Sequence, residues 1–458
     1  MQTNAKKWTS QVDNLESFRS LCEQLNCSLP ARDDVSILAE PVTCGDLLIP
    51  NALAVHPMEG ADGDAQGRPG PLTLRRYQRF AAGGAGLLWA EAIAVTHEGR
   101  ANPRQLWLHE GNKAAFAEML DMIRSVAADS MGPDHRPVIV AQLTHSGRYS
   151  KPEGLPSPLL PQHDPYRDPM CPEPTPTCGR PGGIPADWPP VTDDELDRVQ
   201  EAFVTAARLA FEVGFDAVDI KACHGYLIHE LLASRNRPGR YGGTFENRIR
   251  FLLEVIDKIQ SQCGRHVAIA ARLNFYDAIP YPCGWGVDKR DYRRPDLTEP
   301  NRLVQRLLQR NVRLINFTVA NPYYNPHLGR PFNRPVKGGY PQPEHPLKGV
   351  HRLIALAGQV QQAFPDLTLV GTGYSWLEHL MGNVAAAAKA DGLIRIVGAG
   401  RMAFAYPDFA KDLLTKGTLD RKKVCVACSA CTQLMRDGQP AGCVIRDGDV
   451  YKLSNRKH

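Results

Sequence analysis

Short apolar segments alternate with amphipathic helical patterns eight times along this chain of 458 residues. The apolar segments suit strands that are buried on both faces, as in parallel sheets covered by helices. Eight strand–helix units predict a closed parallel (β/α)8 TIM barrel; a doubly wound open sheet is the alternative, but it does not require eight units. The predicted strands cover residues 47–55, 85–95, 137–143, 215–220, 266–273, 312–320, 367–371 and 391–397.

The third strand–helix unit contains a long insertion. Residues 151–190 are rich in proline and glycine and stand between the predicted strand and its helix, where barrels carry active-site loops. Their composition also fits a disordered linker, but the conventional elements on both sides favour an ordered loop or lid. The helix that follows starts with Thr192 and Glu195, the spacing of a capping box.

Composition excludes several classes of protein. A hydrophobic content of 43% and a charged content of 22% are typical of a globular enzyme with a substantial core. The net charge of +5 is spread along the chain, which argues against nucleic-acid binding. No apolar run approaches the ~20 residues that span a bilayer, and the N-terminus lacks the apolar core of a secretory signal. We therefore expect a cytoplasmic protein, and its 12 cysteines fit a reducing compartment.

Four cysteines near the C-terminus form a C-x2-C-x2-C-x11-C array: Cys425, Cys428, Cys431 and Cys443. Three thiolates at this spacing can cover one face of a compact metal centre, and a distant fourth can close it. The pattern predicts an iron–sulfur cluster or, as the alternative, a zinc site.

Polar side chains and glycines follow several predicted strands, at the end of the barrel where such enzymes carry their chemistry. These residues are Gln142 at the end of strand three, Lys221, His224 and Tyr226 after strand four, Arg272 at the end of strand five, and Gly400 and Arg401 after strand eight. An amide, an arginine and a glycine–arginine turn suit flavin mononucleotide (FMN). The amide would bind the pyrimidine edge of the ring, the cation would stabilise negative charge on the reduced ring, and the turn would present N–H groups to the phosphate.

Residues 45–410 resemble the old yellow enzyme family of flavin oxidoreductases, especially its iron–sulfur branch, which includes 2,4-dienoyl-CoA reductase and trimethylamine dehydrogenase. The matching blocks, in the family's order, are HPME (56–59), GGAGLLWAEA (83–92), QLTHSGR (142–148), the long block 214–248, and VGAGRMAFAYPDFAKDLL (397–414). The cysteine array follows where that branch keeps a [4Fe–4S] cluster.

The resemblance implies a role for each site residue. Those implied to hold FMN are Met58 and Ala92 beside the ring, Gln142 and Arg272 at its pyrimidine side, and Gly373, Gly400 and Arg401 at its phosphate. Tyr226 would donate a proton to the substrate, and His224 would bind a carbonyl or carboxylate oxygen. The four cysteines would hold the cluster near the flavin.

Two positions depart from the family pattern. Lys221 stands where many relatives have histidine, and beside His224 it favours an anionic or electron-rich substrate oxygen. The alternative is a structural ion pair with Asp219 or Glu230. Glu59 replaces the usual Thr or Cys near the flavin, where it would either lower the flavin potential or turn away into a salt bridge.

The iron–sulfur branch usually continues into a second, dinucleotide-binding half, and only 15 residues follow Cys443 here. The lookalike motif GAGRMA (398–403) is interpreted as the flavin phosphate turn rather than as a Rossmann fingerprint. We therefore expect an extension over residues 1–45, an FMN-binding barrel over 46–416 and a cluster-binding segment over 417–458. Electrons would reach the cluster through a separate electron-transfer protein or reductase.

The predicted activity is reduction of a carbon–carbon double bond conjugated to a carbonyl or carboxylate, on a small-molecule substrate. One rival is oxidative dehydrogenation or demethylation of an N-methyl amine, although Lys221 would repel a cationic substrate. A rival of another class is a non-catalytic barrel with a structural zinc site. A monomer and a homo-oligomer both remain open.

Overall fold

The computed structural model describes residues 12–168 and 183–453 of the chain. Eight parallel strands form a closed barrel in the order β10-β3-β4-β5-β6-β7-β8-β9, which confirms the predicted (β/α)8 fold. The strands are β1 (Val42–Cys44), β2 (Leu47–Ile49), β3 (Leu53–Val55), β4 (Leu87–Ala94), β5 (Val138–Thr144), β6 (Ala217–Ile220), β7 (Ala268–Asn274), β8 (Leu314–Thr318), β9 (Thr368–Gly371) and β10 (Ile396–Ala399).

Helices follow the barrel strands and cover the sheet from outside. They are α1 (Leu15–Gln24), α2 (Pro71–Ala82), α3 (Lys113–Met131), α4 (Asp193–Val213), α5 (Leu227–Ala233), α6 (Phe245–Cys263), α7 (Thr298–Leu308), α8 (Pro326–Gly329), α9 (Pro346–Ala363), α10 (Met381–Ala390), α11 (Arg401–Ala405), α12 (Phe409–Lys416) and α13 (Ala430–Arg436). The predicted capping box is confirmed at α4, where the Thr192 side chain accepts from the Glu195 amide and Glu195 accepts from the Thr192 amide. No helix in the described part of the chain is long and apolar enough to cross a membrane.

The first predicted strand, residues 47–55, is two strands in the structure. β2 pairs antiparallel with β1 outside the barrel, and only β3 enters the barrel. Pro50 lacks a backbone N–H, and the side chain of Asn51 hydrogen-bonds the backbone of Leu53, Gly84 and Gly86. These local bonds replace ladder bonds and break the strand.

The insertion of residues 151–190 is described only on its flanks, and residues 169–182 lie outside the described part of the chain. On the flanks, the Trp188 indole donates to the Pro158 carbonyl at 2.9 Å, and the Val191 amide donates to the Leu160 carbonyl at 2.7 Å. These bonds hold the two flanks together at the base of the insertion. Its function as a lid remains a prediction.

A buried arginine ties the loop after β3 to β4. The Arg76 guanidinium on α2 forms ion pairs with Asp62 and Glu91, and all three side chains are at most 4% exposed. Glu91 also accepts a hydrogen bond from the Gly60 amide at 2.8 Å. This network fixes the loop that carries Met58 and Glu59.

We expect Arg76→Met to lower the free energy of unfolding by about 3–5 kcal/mol, because it leaves two buried carboxylates without a cation. The matched control is Arg75→Met one residue earlier, which removes a side chain that is 36% exposed and pairs with Asp447. That loss should stay below about 1 kcal/mol. Urea unfolding measures both, and equal losses would contradict a special role for the buried network.

Candidate active site

A cavity of about 600 Å³ opens at the carboxyl ends of the barrel strands. It is lined by all ten side chains and glycines that the sequence nominated for cofactor and substrate: Met58, Ala92, Gln142, Lys221, His224, Tyr226, Arg272, Gly373, Gly400 and Arg401. The structure therefore brings together residues from seven different strand ends. Their individual roles remain predictions.

One buried carboxylate organises the barrel end of this cavity. Asp219 on β6 accepts hydrogen bonds from the Gln142 side-chain amide at 2.6 Å, the Trp89 indole at 2.8 Å and the Arg272 backbone amide at 2.5 Å. Burial raises the pKa of Asp219, and these donors oppose the rise. With its amide nitrogen held by Asp219, Gln142 has its orientation fixed at the cavity wall.

Buried polar atoms without a partner mark where a polar ligand fits. Among the described residues, Arg272 Nε and Arg401 Nη1 are buried and have no hydrogen-bond partner. Both arginines line the cavity, one on β7 and the other at the start of α11. Because burying an unpaired guanidinium donor is costly, a bound anion or carbonyl is the natural partner at each point. The residues present thus fit a flavin mononucleotide, whose ring carries carbonyl oxygens and whose tail carries a phosphate.

The glycine–arginine end of the cavity is strongly positive. Arg330 lines the same wall as Arg401, and its side chain donates to the Thr432 hydroxyl. Burial and the nearby charges of Arg401 and Arg436 lower the pKa of Arg330 to about 10. Gly373, with φ of +99°, supplies a backbone turn that side chains rarely adopt. Three converging arginines beside a glycine turn suit a phosphate.

Three residues from the segment after β6 form the predicted substrate face. The His224 backbone adopts a φ of +64°, and its ring Nε2 lies 3.0 Å from the Thr318 hydroxyl. Burial and the cations Arg272 and Lys221 hold the pKa of His224 well below its usual range. His224 is therefore neutral near pH 7 and can act as a hydrogen-bond donor. The Tyr226 hydroxyl lies 3.1 Å from that of Tyr323.

Lys221 points into the cavity rather than into a salt bridge. Its ammonium lies 3.7 Å from the centre of the Tyr226 ring, and burial lowers its pKa to about 8. Of the partners considered from sequence, Glu230 pairs with Arg148 and Asp219 is bonded as described above. Among the described residues, Lys221 has no carboxylate within ion-pair distance.

Glu59 also lines the cavity. Its carboxylate accepts a hydrogen bond from the Asn102 side-chain amide at 2.8 Å, and burial raises its pKa. Among the described residues Glu59 does not form the alternative salt bridge, since no cationic side chain lies within 4 Å of its carboxylate. Glu59 and Lys221 line the same cavity, and the charge of Glu59 opposes the lowering of the Lys221 pKa by burial.

The four array cysteines line one smaller cavity next to the first. The Ala427 and Arg446 amides donate to the sulfurs of Cys425 and Cys443 at 3.4 and 3.3 Å. Within residues 12–168 and 183–453, no three His, Cys, Asp or Glu side chains are arranged to hold a metal ion as they stand. The four thiols thus share a cavity, and two of them receive the N–H···S bonds typical of cluster ligands, but the four do not form a closed coordination shell. Four such donors fit a cluster whose binding draws them together.

The two cavities share a wall. Arg401, Phe404 and Cys431 line both of them. The C-terminal segment that carries the array also supplies Thr432, Met435, Arg436, Gly438 and Ala441 to the larger cavity. The Ala441 amide donates to the Gly60 carbonyl at 2.7 Å, which joins this segment to the loop after β3.

A family model with the description NADH:flavin oxidoreductase / NADH oxidase matches residues 37–281, more than half of the chain. The chain belongs to this family. Membership confirms the predicted resemblance to the old yellow enzyme family of flavin oxidoreductases.

Curated relatives match about half of the chain. The NADPH dehydrogenase of Bacillus subtilis (strain 168) is 31% identical over 233 residues, which are 49% of this chain and 60% of that protein. The NADH oxidase of Thermoanaerobacter brockii is 30% identical over 237 residues, 50% of this chain and 33% of that protein. The match thus spans less than two thirds of these relatives.

Solved structures agree on the fold. A 2-naphthoyl-CoA reductase complex superposes with a TM-score of 0.68 at 21% identity, covering 90% of this chain and 57% of that one. Histamine dehydrogenase from Rhizobium sp. 4-9 has a TM-score of 0.62 at 19% identity, covering 90% and 52%. At these identities the likeness establishes the barrel and not the substrate.

Sequence reasoning missed several residues that build the flavoprotein cavity. Asp219 was weighed only as an ion-pair partner, and Arg330 was not singled out. Trp89 donates to Asp219 across 130 residues of sequence. Tyr149 lies in the 3-10 turn after β5 and stacks on Tyr323. Only the position of Asp219 near the end of a strand could have signalled its role.

Proposed function

We propose that the protein is an FMN- and [4Fe–4S]-dependent ene-reductase, which reduces a carbon–carbon double bond conjugated to a carbonyl or carboxylate. The observation that carries the proposal is the single cavity in which Lys221, His224 and Tyr226 face the residues suited to FMN. Cys431 lines both this cavity and the cysteine cavity, as a cluster that exchanges electrons with a flavin would require.

Each part of the cavity has a proposed task. Bound FMN supplies hydride chemistry, and a bound cluster supplies single-electron transfer. Gln142 and Arg272 would hold the flavin pyrimidine edge, Met58 and Ala92 would contact the ring, and Gly373, Gly400 and Arg401 would hold the phosphate. Cys425, Cys428, Cys431 and Cys443 would hold the cluster.

The substrate face would polarise an oxygen and deliver a proton. Lys221 and neutral His224 would donate hydrogen bonds to the carbonyl or carboxylate oxygen, which favours the enolate that forms there. Tyr226 would then transfer its hydroxyl proton to the α-carbon. An unperturbed tyrosine, near pKa ~10, is a weak acid at neutral pH, but the enolate carbon is a strong enough base to accept its proton.

The electron donor is proposed to be external. A separate electron-transfer protein acting through the cluster is one donor. NAD(P)H is the second, because curated relatives carry the names NADPH dehydrogenase and NADH oxidase. Mixing NADPH with the anaerobic protein separates the two, since direct donation bleaches the flavin without any added protein.

The cluster of Tyr149, Tyr226 and Tyr323 favours amine oxidation as a second candidate, because aromatic faces attract cations. Tyr149 and Tyr323 stack at 4.0 Å, and Tyr149 and Tyr226 meet edge-on at 5.9 Å. However, the Lys221 ammonium already occupies the face of Tyr226. A second cation would meet this charge, so the enoate proposal is preferred.

The test is reconstitution without oxygen, using iron, sulfide and FMN, followed by turnover with an artificial electron carrier. Enoates and enones are compared with N-methyl amines. Reduction of enoates supports the proposal, and oxidation of amines alone would replace it by the second candidate. A colourless protein that binds only zinc would refute both.

Lys221→Met is expected to weaken binding of an α,β-unsaturated carboxylate about 10- to 100-fold, with little effect on an uncharged enone. Because the pKa of Lys221 is lowered to about 8, carboxylate affinity of the native protein should fall as pH rises through about 8, where the ammonium loses its proton. The variant should lose this step. Spectral titration of the flavin measures both, and Lys348→Met, which alters an exposed lysine on α9, is the control. A variant that binds carboxylates as tightly as the native protein would make the charge irrelevant.

A further inference from the structure

The Tyr226 hydroxyl has a second hydroxyl within hydrogen-bond distance. Tyr323, in the loop after β8, places its Oη 3.1 Å from the Oη of Tyr226. Tyr226 is only 6% exposed, whereas Tyr323 is partly exposed in the cavity wall. A buried acid must recover its proton from water after every turnover, and Tyr323 is a hydrogen-bonded neighbour that is more exposed than Tyr226.

We propose that Tyr323 relays a proton from water to Tyr226, a role that rests on the proposed ene-reductase function. As Tyr226 gives its proton to the substrate α-carbon, the Tyr323 hydroxyl transfers its own proton to the Tyr226 oxygen in the same step. Tyr323 next takes a proton from water. One solvent proton is consumed per product, and both tyrosines end the cycle as they began.

The loop holds Tyr323 in place for this task. The Asn321 side-chain oxygen accepts from the Tyr323 amide at 2.9 Å, and its nitrogen donates to the Tyr149 hydroxyl at 3.1 Å. The Tyr149 ring stacks on the Tyr323 ring with centroids 4.0 Å apart and planes 28° apart. The hydroxyl of Tyr323 is therefore directed by two fixed neighbours.

The surrounding charges favour transfer towards the substrate. The Lys221 ammonium, 3.7 Å from the Tyr226 ring centre, stabilises negative charge that develops on Tyr226 when its proton leaves. Burial holds the pKa of Tyr226 well above its usual range, so the group is protonated at rest. The relay therefore acts during turnover and not in the resting protein.

The test compares Tyr323→Phe with Tyr324→Phe, since Phe at 323 keeps the ring stacked on Tyr149 and removes only the hydroxyl. Tyr324 is the neighbouring tyrosine and does not line the cavity within the described part of the chain. Dithionite-reduced protein is mixed with an enoate, and flavin reoxidation is followed. We expect Tyr323→Phe to slow reoxidation about tenfold, the usual worth of one hydrogen bond to a developing charge. Tyr324→Phe should match the native rate.

A double substitution separates a relay from a structural role. In a Tyr226→Phe background, adding Tyr323→Phe should cause no further loss, because the relay acts only through Tyr226. In mixtures of light and heavy water, a plot of the native reoxidation rate against the deuterium fraction should be curved, because two protons move in one step. The same plot for Tyr323→Phe should be a straight line.

Three results would overturn the relay: a native rate for Tyr323→Phe, additive losses in the double variant, or a straight line for the native protein. The last needs no variant. If neither enoates nor enones reoxidise the reduced native protein, the proposed function itself fails. If enoates reoxidise it and Tyr226→Phe impairs this while Tyr323→Phe does not, the relay alone fails.

Discussion

Tyr226→Phe is expected to slow enoate reduction about a hundredfold or more, the usual contribution of a general acid. The hydroxyl is the part of Tyr226 that can supply a proton, and its ring is the part that packs against Lys221. Phenylalanine keeps the ring and removes the proton. Stopped-flow reoxidation of the chemically reduced flavin measures the step directly.

The same substitution should leave the flavin bound, since Tyr226 is not among the residues proposed to hold it. The visible spectrum and the rate of reduction by dithionite should therefore match those of the native protein. Unchanged reoxidation by an enoate would remove Tyr226 as proton donor. The proposed cofactor sites would be unaffected, but another residue would have to donate the proton to the substrate.

Cys428→Ala should eliminate bound iron and acid-labile sulfide while leaving much of the yellow colour. The four cysteines share one cavity, and three thiolates cannot complete the coordination of a four-thiolate cluster. The seven residues proposed to hold FMN lie on the barrel, and Arg436 in the array segment adds only to the positive charge near the phosphate, so much of the flavin should stay bound. Iron and sulfide analysis together with the flavin absorbance tests both halves of this expectation.

Cys263→Ala is the matched control, because Cys263 is a partly exposed free cysteine at the end of α6, outside both cavities. It should retain native iron content. Full iron and sulfide in Cys428→Ala would contradict the assignment of the array. Stoichiometric zinc in the native protein, with neither iron nor flavin, would favour the structural zinc site.

Much of the fold could be predicted because strand–helix alternation is a local property of the sequence. Each predicted strand overlaps a barrel strand, although the last prediction, 391–397, shares only residues 396 and 397 with β10. The Thr192 capping box requires only a three-residue spacing. The division of residues 47–55 could not be seen, because it depends on Asn51 reaching Gly84 and Gly86, across 33 and 35 residues. An apolar run alone does not show which backbone groups a side chain will take.

The site could be predicted where the chemistry follows directly from a strand end. Lys221, His224 and Tyr226 stand within six residues and reach one cavity together. Tyr323 is 97 residues from Tyr226, and Gln142 is 77 residues from Asp219. Contacts of this kind depend on barrel register, which a single sequence does not reveal. Sequence reasoning therefore nominated residues that line one cavity, and it missed the contacts that orient them.

Because the two cavities share a wall, the shape of the larger cavity depends on whether the cysteine cavity holds its proposed cluster. Residues between Thr432 and Ala441 form part of the wall of the larger cavity. If the proposed cluster is present, its cysteine ligands also hold this segment in place. Exposure to air, which destroys such clusters, would then stop electron transfer and also loosen one wall of the larger cavity.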